Sequence, residues 1–141
     1  MKIERIGPWP RTIEPVMSDG IPDRFRRGYA PPVSASGSVL ALWFDEAERT
    51  AGAVLGAART AAWDTGELDY VGLDCGPPGK ETGVLRLVVK YRSLPEPSAV
   101  ISAAGWSPEA HEWFVRAARA LATMIGVPYR EVCGNAGADS E

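Results

Sequence analysis

Proline is concentrated at the N-terminal end of this 141-residue chain. Six of the twelve prolines fall in the first 36 residues, namely Pro8, Pro10, Pro15, Pro22, Pro31 and Pro32. Proline fixes φ and lacks a backbone N–H donor, so a stretch so rich in it extends or turns and does not form a helix. The sequence therefore predicts a Pro-rich arm over residues 1–36, with a short edge strand at residues 2–6.

A helix is expected soon after this arm. The apolar run over residues 38–44 predicts a buried strand, and Asp45 with Glu48 three positions later matches the start of a capping box. Small and apolar residues then recur at helical spacing, at Ala47, Ala51, Val54, Leu55, Ala58 and Ala62. This pattern predicts a helix over residues 45–62 with one buried stripe.

Two glycines interrupt that predicted helix. Each mid-helix glycine costs about 1 kcal/mol relative to alanine, so Gly52 and Gly56 call for a physical reason. Close approach of another backbone is what glycine permits. We expect internal packing against the second helix, with a homodimer contact through Gly52 and Gly56 as the alternative.

The second half of the chain completes an α+β pattern. Ser107 and Pro108 predict the start of a helix, and Gly126 predicts its end. Strands are expected over residues 68–73, 84–91, 99–102 and 129–133. This order is that of a two-layer ferredoxin-like sandwich, an antiparallel sheet with two helices on one face. The predicted organisation is an arm (1–36), a domain (37–133) and a flexible tail (134–141).

Residues for catalysis or metal binding are scarce. The chain has one histidine, His111, and two cysteines, Cys75 and Cys133, with no Cys-x-x-Cys spacing. We therefore predict no catalytic residue, no metal site and no cofactor. A Cys75–His111 pair is the weaker alternative, because only the fold can bring those side chains together.

The net charge and the composition indicate which class of partner and which compartment to expect. The net charge of −3 does not favour nucleic acid, and no apolar stretch reaches the length of a membrane span. Two cysteines without a framework favour the cytoplasm, although they could form one bridge. The fractions of hydrophobic and charged residues are typical of a soluble globular protein.

The arm also carries the predicted partner-binding residues. They combine basic and aromatic side chains and comprise Trp9, Arg24, Phe25, Arg26, Arg27 and Tyr29. Arginine and aromatic residues are typical of interface hot spots, and guanidinium groups bind carboxylates through charge-assisted hydrogen bonds. We expect contact with an acidic surface of another protein. In the plainer interpretation, Phe25 and Tyr29 fix the arm to the core while the arginines are solvated.

Two functional hypotheses follow. The first is a non-catalytic protein-binding module of the inhibitor, immunity or accessory-subunit type. The second is a small-molecule enzyme or ligand-binding protein, with Cys75 or His111 as reactive groups. Its pocket would be lined by tryptophans, from among Trp43, Trp63, Trp106 and Trp113. A ligand-sized apolar pocket would favour the second hypothesis.

Overall fold

The computed structural model describes residues 1–11, 13–18, 20–28, 39–56, 60–76 and 83–132. Over these residues the chain forms nine strands, one α-helix and one short 3-10 helix. In chain order they are β1 (Lys2–Pro8), β2 (Val16–Met17), the 3-10 helix (Asp23–Phe25), β3 (Val39–Asp45), β4 (Thr50–Leu55), β5 (Thr60–Asp64), β6 (Leu68–Gly76), β7 (Val84–Tyr91), β8 (Ser98–Ala104), α1 (Pro108–Ile125) and β9 (Tyr129–Glu131).

The strands form two sheets. The first has the order β1-β3-β4-β5 and is antiparallel throughout. The second has the order β2-β8-β7-β6-β9, in which only the β6–β9 pair is parallel. The predicted ferredoxin-like sandwich, with one sheet and two helices, is therefore wrong. The described chain is mostly β, with two sheets and a single α-helix.

The error lies in residues 45–62, whose described positions include the end of β3, the whole of β4 and the start of β5 instead of a helix. Residues 57–59, with Ala58 of the predicted stripe, lie outside the described residues. The backbone N–H of Glu48 does donate to Asp45 Oδ1, at 3.3 Å, as in a capping box. Here the bond closes a hairpin turn that pairs Asp45 with Thr50, and Arg49 adopts a left-handed φ of 54°. All six residues of β4 are buried, so its side chains show no alternation between apolar and polar.

Close approach is indeed the reason for Gly52, but its neighbour is a side chain and not a helix. Gly52 lies opposite Trp43 on the adjacent strand, and a Cβ atom at this position would overlap the Trp43 ring and the Ala61 carbonyl. Gly56 follows β4 with a φ of 60°. The helical face that would present both glycines to a second copy therefore does not exist.

The last helix is confirmed. The Ser107 side chain accepts a hydrogen bond from the Ala110 N–H at 3.1 Å, and Gly126 ends α1 in the left-handed conformation. The helix contacts β1 and β3 of the first sheet and β6 and β7 of the second. Its buried stripe comprises Ala110, Trp113, Phe114, Ala117, Ala118, Leu121, Ala122 and Met124. It therefore contributes to the core together with both sheets.

The N-terminal arm contributes an edge strand to each sheet. β1 pairs only with β3, as the predicted edge strand requires, and β2 pairs only with β8. Side chains of α1 hold β1, since Arg116 donates to the Ile6 carbonyl at 3.0 Å and Trp113 Nε1 donates to the Gly7 carbonyl at 3.4 Å. The predicted tail, residues 134–141, lies outside the described residues.

Candidate functional site

The structure divides the predicted partner-binding residues between the two edges of the first sheet. Trp9 follows β1, at one edge. Arg26 forms a β-bridge with Trp63 of β5, at the other edge, and the Arg27 N–H donates to the Ala62 carbonyl at 3.1 Å. Tyr29 lies outside the described residues.

Residues 24–27 form the first candidate surface, which we call the arginine ledge. Phe25 fixes it to the core, because its ring is buried and stacks on Tyr91 with ring centroids 3.8 Å apart. The Tyr91 hydroxyl donates to the Asp64 carbonyl at 2.8 Å. Burial, with a further contribution from the nearby Asp64 charge, raises the pKa of Tyr91 above its ordinary value. The buried Phe25 ring thus anchors the ledge to the core.

Each of the three guanidinium groups of the ledge is held by hydrogen bonds, an ion pair or a cation–π contact. Arg24 lies over the Phe25 ring and donates to Ser93 Oγ at 2.8 Å. Arg26 Nε donates to the Ile21 carbonyl at 2.9 Å. Arg27 donates to the carbonyls of Arg24 and Arg26 and pairs with Asp64 Oδ2 at 3.0 Å. The side chains of Arg26 and Arg27 remain 46% and 39% exposed, so both positive charges reach solvent.

A cavity of about 240 Å³ opens beside the ledge, and we call it the Trp63 cavity. It lies where β5 of the first sheet meets β2 and β8 of the second. Its apolar lining comprises Met17, Ile21, Ala61, Trp63 and Val100, with Ala62 beside them. Its polar lining comprises Ser18, Arg26, Arg27 and Thr60. The cavity therefore combines an apolar interior with two guanidinium groups.

The second candidate surface is a groove of about 610 Å³ between the end of β1 and the start of α1, which we call the Trp9 groove. Half-buried Trp9 meets the buried Trp113 ring edge-on, with centroids 6.5 Å apart. The full lining comprises Pro8, Trp9, Pro10, Arg11, Glu109, Glu112, Trp113 and Arg116. Two arginines and two glutamates balance its formal charge.

Comparison with protein-family models, with curated proteins and with solved structures finds no match to this chain. Function therefore has to be argued from the geometry of these two surfaces. Among the described residues, no helix combines the length and the apolar character needed to cross a membrane.

The groups proposed for catalysis are engaged elsewhere in the fold. Cys75 is buried in β6 and disulfide-bonded, so it has no thiol with which to act as a nucleophile. His111 lies in the first turn of α1, with Nε2 3.9 Å from Glu131 Oε1. The described part of the chain contains no group of three His, Cys, Asp or Glu side chains that could hold a metal ion. Cys133 lies outside the described residues.

The four tryptophans proposed as one pocket lining are distributed over the molecule. Trp43 is buried against Gly52, Trp113 borders the Trp9 groove and Trp63 lines the cavity beside the ledge. The indole ring of Trp106 contacts the imidazole of His111. Sequence reasoning missed the cavity, because Met17 and Val100 come from distant strands and carry no local signal. The one sequence signal near the cavity was the position of Phe25 between Arg24 and Arg26.

Proposed function

We propose that this chain is a non-catalytic protein-binding module, of the inhibitor, immunity or accessory-subunit type, that docks an acidic partner surface on the arginine ledge. The observation that carries the proposal is the fixing of three guanidinium groups within four residues. Contacts to Ser93, Ile21 and Asp64 hold them in place. Side chains ordered before binding lose less conformational entropy on association, and arginine binds carboxylates bidentately.

The Trp9 groove is the weaker docking surface for an acidic partner. Glu109 and Glu112 lie in the same groove as Arg11 and Arg116, so they offset its positive potential. Trp9 is half-buried and could add an aromatic contact. An acidic protein therefore gains more from the ledge than from the groove.

The alternative is a ligand-binding protein, and the observation that favours it is the Trp63 cavity with its apolar lining. Such a function needs no catalytic residue. The compartment remains a prediction. The low cysteine count favours the cytoplasm, whereas the disulfide bond at Cys75 favours an oxidising environment.

The test compares two charge reversals of equal size. The wild-type chain first captures its partner from an extract of its source cell, and mass spectrometry identifies the captured protein. Arg26→Glu is expected to weaken binding of the purified partner at least about tenfold, or roughly 1.4 kcal/mol. Arg119→Glu, at an exposed position on α1 outside both candidate surfaces, is expected to leave the affinity within about twofold.

Arg27 is left unchanged in this test, because its contacts with Asp64 and two arm carbonyls make it part of the fold. Circular dichroism and urea unfolding show whether each variant remains folded. Equal affinities for the folded Arg26→Glu and Arg119→Glu variants would exclude the ledge as the interface.

A further inference from the structure

We infer that the Trp63 cavity is a binding site for an apolar group that ends in a carboxylate. The group belongs either to a small organic acid or to the C-terminal residue of a bound polypeptide, and the two share this chemistry. In the second case the inference rests on the proposed function, because the cavity opens beside the arginine ledge. In the first case it stands independently of a protein partner.

The size and the apolar lining of the cavity define the size of the apolar part of the ligand. Pockets for drug-sized ligands commonly measure about 300–1,000 Å³, so a cavity of about 240 Å³ suits one ring or one side chain. Trp63, Ile21 and Val100 are buried core residues, and Met17 and Ala61 pack against that core. Trp63 and Val100 are almost fully shielded from solvent, so the accessible apolar surface comes mainly from Met17, Ala61 and Ala62. An apolar group that enters the cavity exchanges water for contact with these side chains.

The polar lining defines the charge of the ligand. Arg26 and Arg27 supply positive charge, and Ser18 and Thr60 supply hydroxyl donors. No aspartate or glutamate is found among the described residues that line the cavity. A guanidinium group binds a carboxylate through two parallel hydrogen bonds, which an amine or a neutral amide cannot accept in the same way.

Of the two arginines, Arg26 is the principal partner for this carboxylate. Arg27 already forms an ion pair with Asp64, at 3.0 Å. Arg26 has an acidic neighbour in Asp23, whose carboxylate is 3.6 Å from Arg26 Nε and whose side chain is 96% exposed. Such an exposed pair is weak, so a ligand carboxylate can compete with Asp23 for the guanidinium group.

The charged and apolar parts of the cavity are also fixed relative to each other. Arg26 Nε donates to the backbone carbonyl of Ile21, and the side chain of Ile21 is part of the apolar lining. Residues 21–26 of the arm thus position both the Arg26 guanidinium group and part of the apolar lining. This arrangement favours a ligand with a short distance between its apolar body and its carboxylate.

The first experiment uses three probes with one apolar body: phenylacetate, phenylacetamide and phenethylamine. Binding is followed by calorimetry and by the indole N–H signal of Trp63 in ¹H–¹⁵N spectra, assigned with Trp63→Phe. Phenylacetate is expected to bind at least about tenfold more tightly than the other two. Arg26→Met should remove this preference, whereas the matched control Arg119→Met, at an exposed position that does not line the cavity, should keep it. Equal binding of all three probes, or none, contradicts this ligand chemistry for a free acid.

The second arm uses a short peptide that ends in phenylalanine, with either a free or an amidated C-terminus. Preference for the free carboxylate, together with weak binding of phenylacetate, assigns the site to a polypeptide end. Preference for phenylacetate, with no binding of the peptide, assigns it to a small acid. Absence of a carboxylate preference in both series overturns the inference.

Cavity-filling variants separate this inference from the proposed function. Ala61→Leu and Ser18→Leu each occupy the cavity and leave the ledge guanidinium groups in place, and either one suffices if the other fails to fold. Both are expected to abolish phenylacetate binding. Retained phenylacetate binding in a folded variant overturns the inference even if Arg26→Glu still weakens the protein partner. Conversely, carboxylate binding that depends on Arg26, with partner binding insensitive to Arg26→Glu, overturns the docking proposal alone.

Discussion

The Trp9 groove and the arginine ledge are built from one Pro-rich arm, yet they hold that arm in opposite ways. At the groove, α1 supplies the donors, and Trp113 and Arg116 bind backbone carbonyls of β1. At the ledge, the arm supplies its own donors, because Arg26 and Arg27 bind carbonyls within residues 21–26. The donors therefore come from the helix at the groove and from the arm itself at the ledge, where they also reach Ser93 and Asp64, distant in sequence.

The two surfaces also differ in how their charges and aromatic rings are used. The groove lining carries two arginines and two glutamates, and the half-buried Trp9 ring reaches the surface. At the ledge the Phe25 ring is buried and the guanidinium groups reach solvent. At the ledge three arginines lie near two carboxylates, those of Asp23 and Asp64, so a net positive charge remains. This net charge, and not the aromatic content of the sequence, distinguishes the ledge from the groove.

The largest expected effect is on the groove side. Trp113→Ala should lower the free energy of unfolding by about 3–5 kcal/mol, because a fully buried ring is removed. Urea unfolding measures this change. Binding of phenylacetate by the folded variant should remain as in wild type, because Trp113 does not line the Trp63 cavity. A loss below about 1 kcal/mol would show that the ring contributes little to the core.

A smaller effect is expected at a position that belongs to neither surface. Cys75→Ser should lower the free energy of unfolding by about 2–4 kcal/mol, because the disulfide bond is lost from a buried strand. Chemical reduction of the wild-type protein should have a similar effect. Affinities measured at the ledge should not change. A function that disappears in a well-folded Cys75→Ser variant would instead implicate this residue directly.

The smallest expected effect is on the ledge side and depends on pH. Tyr91→Phe should cost about 1 kcal/mol at neutral pH, because the hydrogen bond to the Asp64 carbonyl is lost. The folded-state pKa of Tyr91 lies above its ordinary value of 10.0, so the folded protein holds this proton more tightly than the unfolded chain. The associated stability is complete below pH 10.0 and is lost as pH rises towards the folded-state pKa.

Tyr91→Phe should therefore reduce the loss of stability between neutral and strongly alkaline pH, as measured by urea unfolding at each pH. Tyr129→Phe is the matched control outside the ledge. Burial and the neighbouring Glu131 raise the pKa of Tyr129 as well, so that variant should also flatten the alkaline decline. Only Tyr91→Phe should also alter binding at the ledge, because the lost hydrogen bond is to Asp64, whose carboxylate pairs with Arg27. Identical effects of both variants on binding would argue against this coupling.

The sequence predicted the elements that carry strong local signals. α1 has a serine cap, an N-terminal proline and a glycine at its end, and these determine its bounds locally. Residues 45–62 were misinterpreted because alanine and glycine are spaced there in a way that fits a helix as well as a buried strand. Whether these residues form a helix or a strand depended on Trp43, whose side chain fills the space above Gly52. Packing from a neighbouring strand cannot be derived from one segment alone.

For the candidate site, only the types of residue that form it could be predicted from the sequence. The cluster of arginines around Phe25 predicted a binding surface at residues 24–27, and that assignment stays a prediction. Whether Phe25 was a surface anchor or a core residue depended on Tyr91, 66 positions later in the chain. The cavity depends on strands from both sheets, so no local pattern could indicate it.

The side chains of α1 that bind β1 have a consequence for self-association. Open edge strands can pair with the edge strand of another molecule, which is a common route to aggregation. At β1 the carbonyls of Ile6 and Gly7 are already occupied by side-chain donors, and the register shift between Arg5 and Gly7 interrupts the strand. The helix thus protects one edge of the first sheet against the continuous backbone pairing on which fibril growth depends.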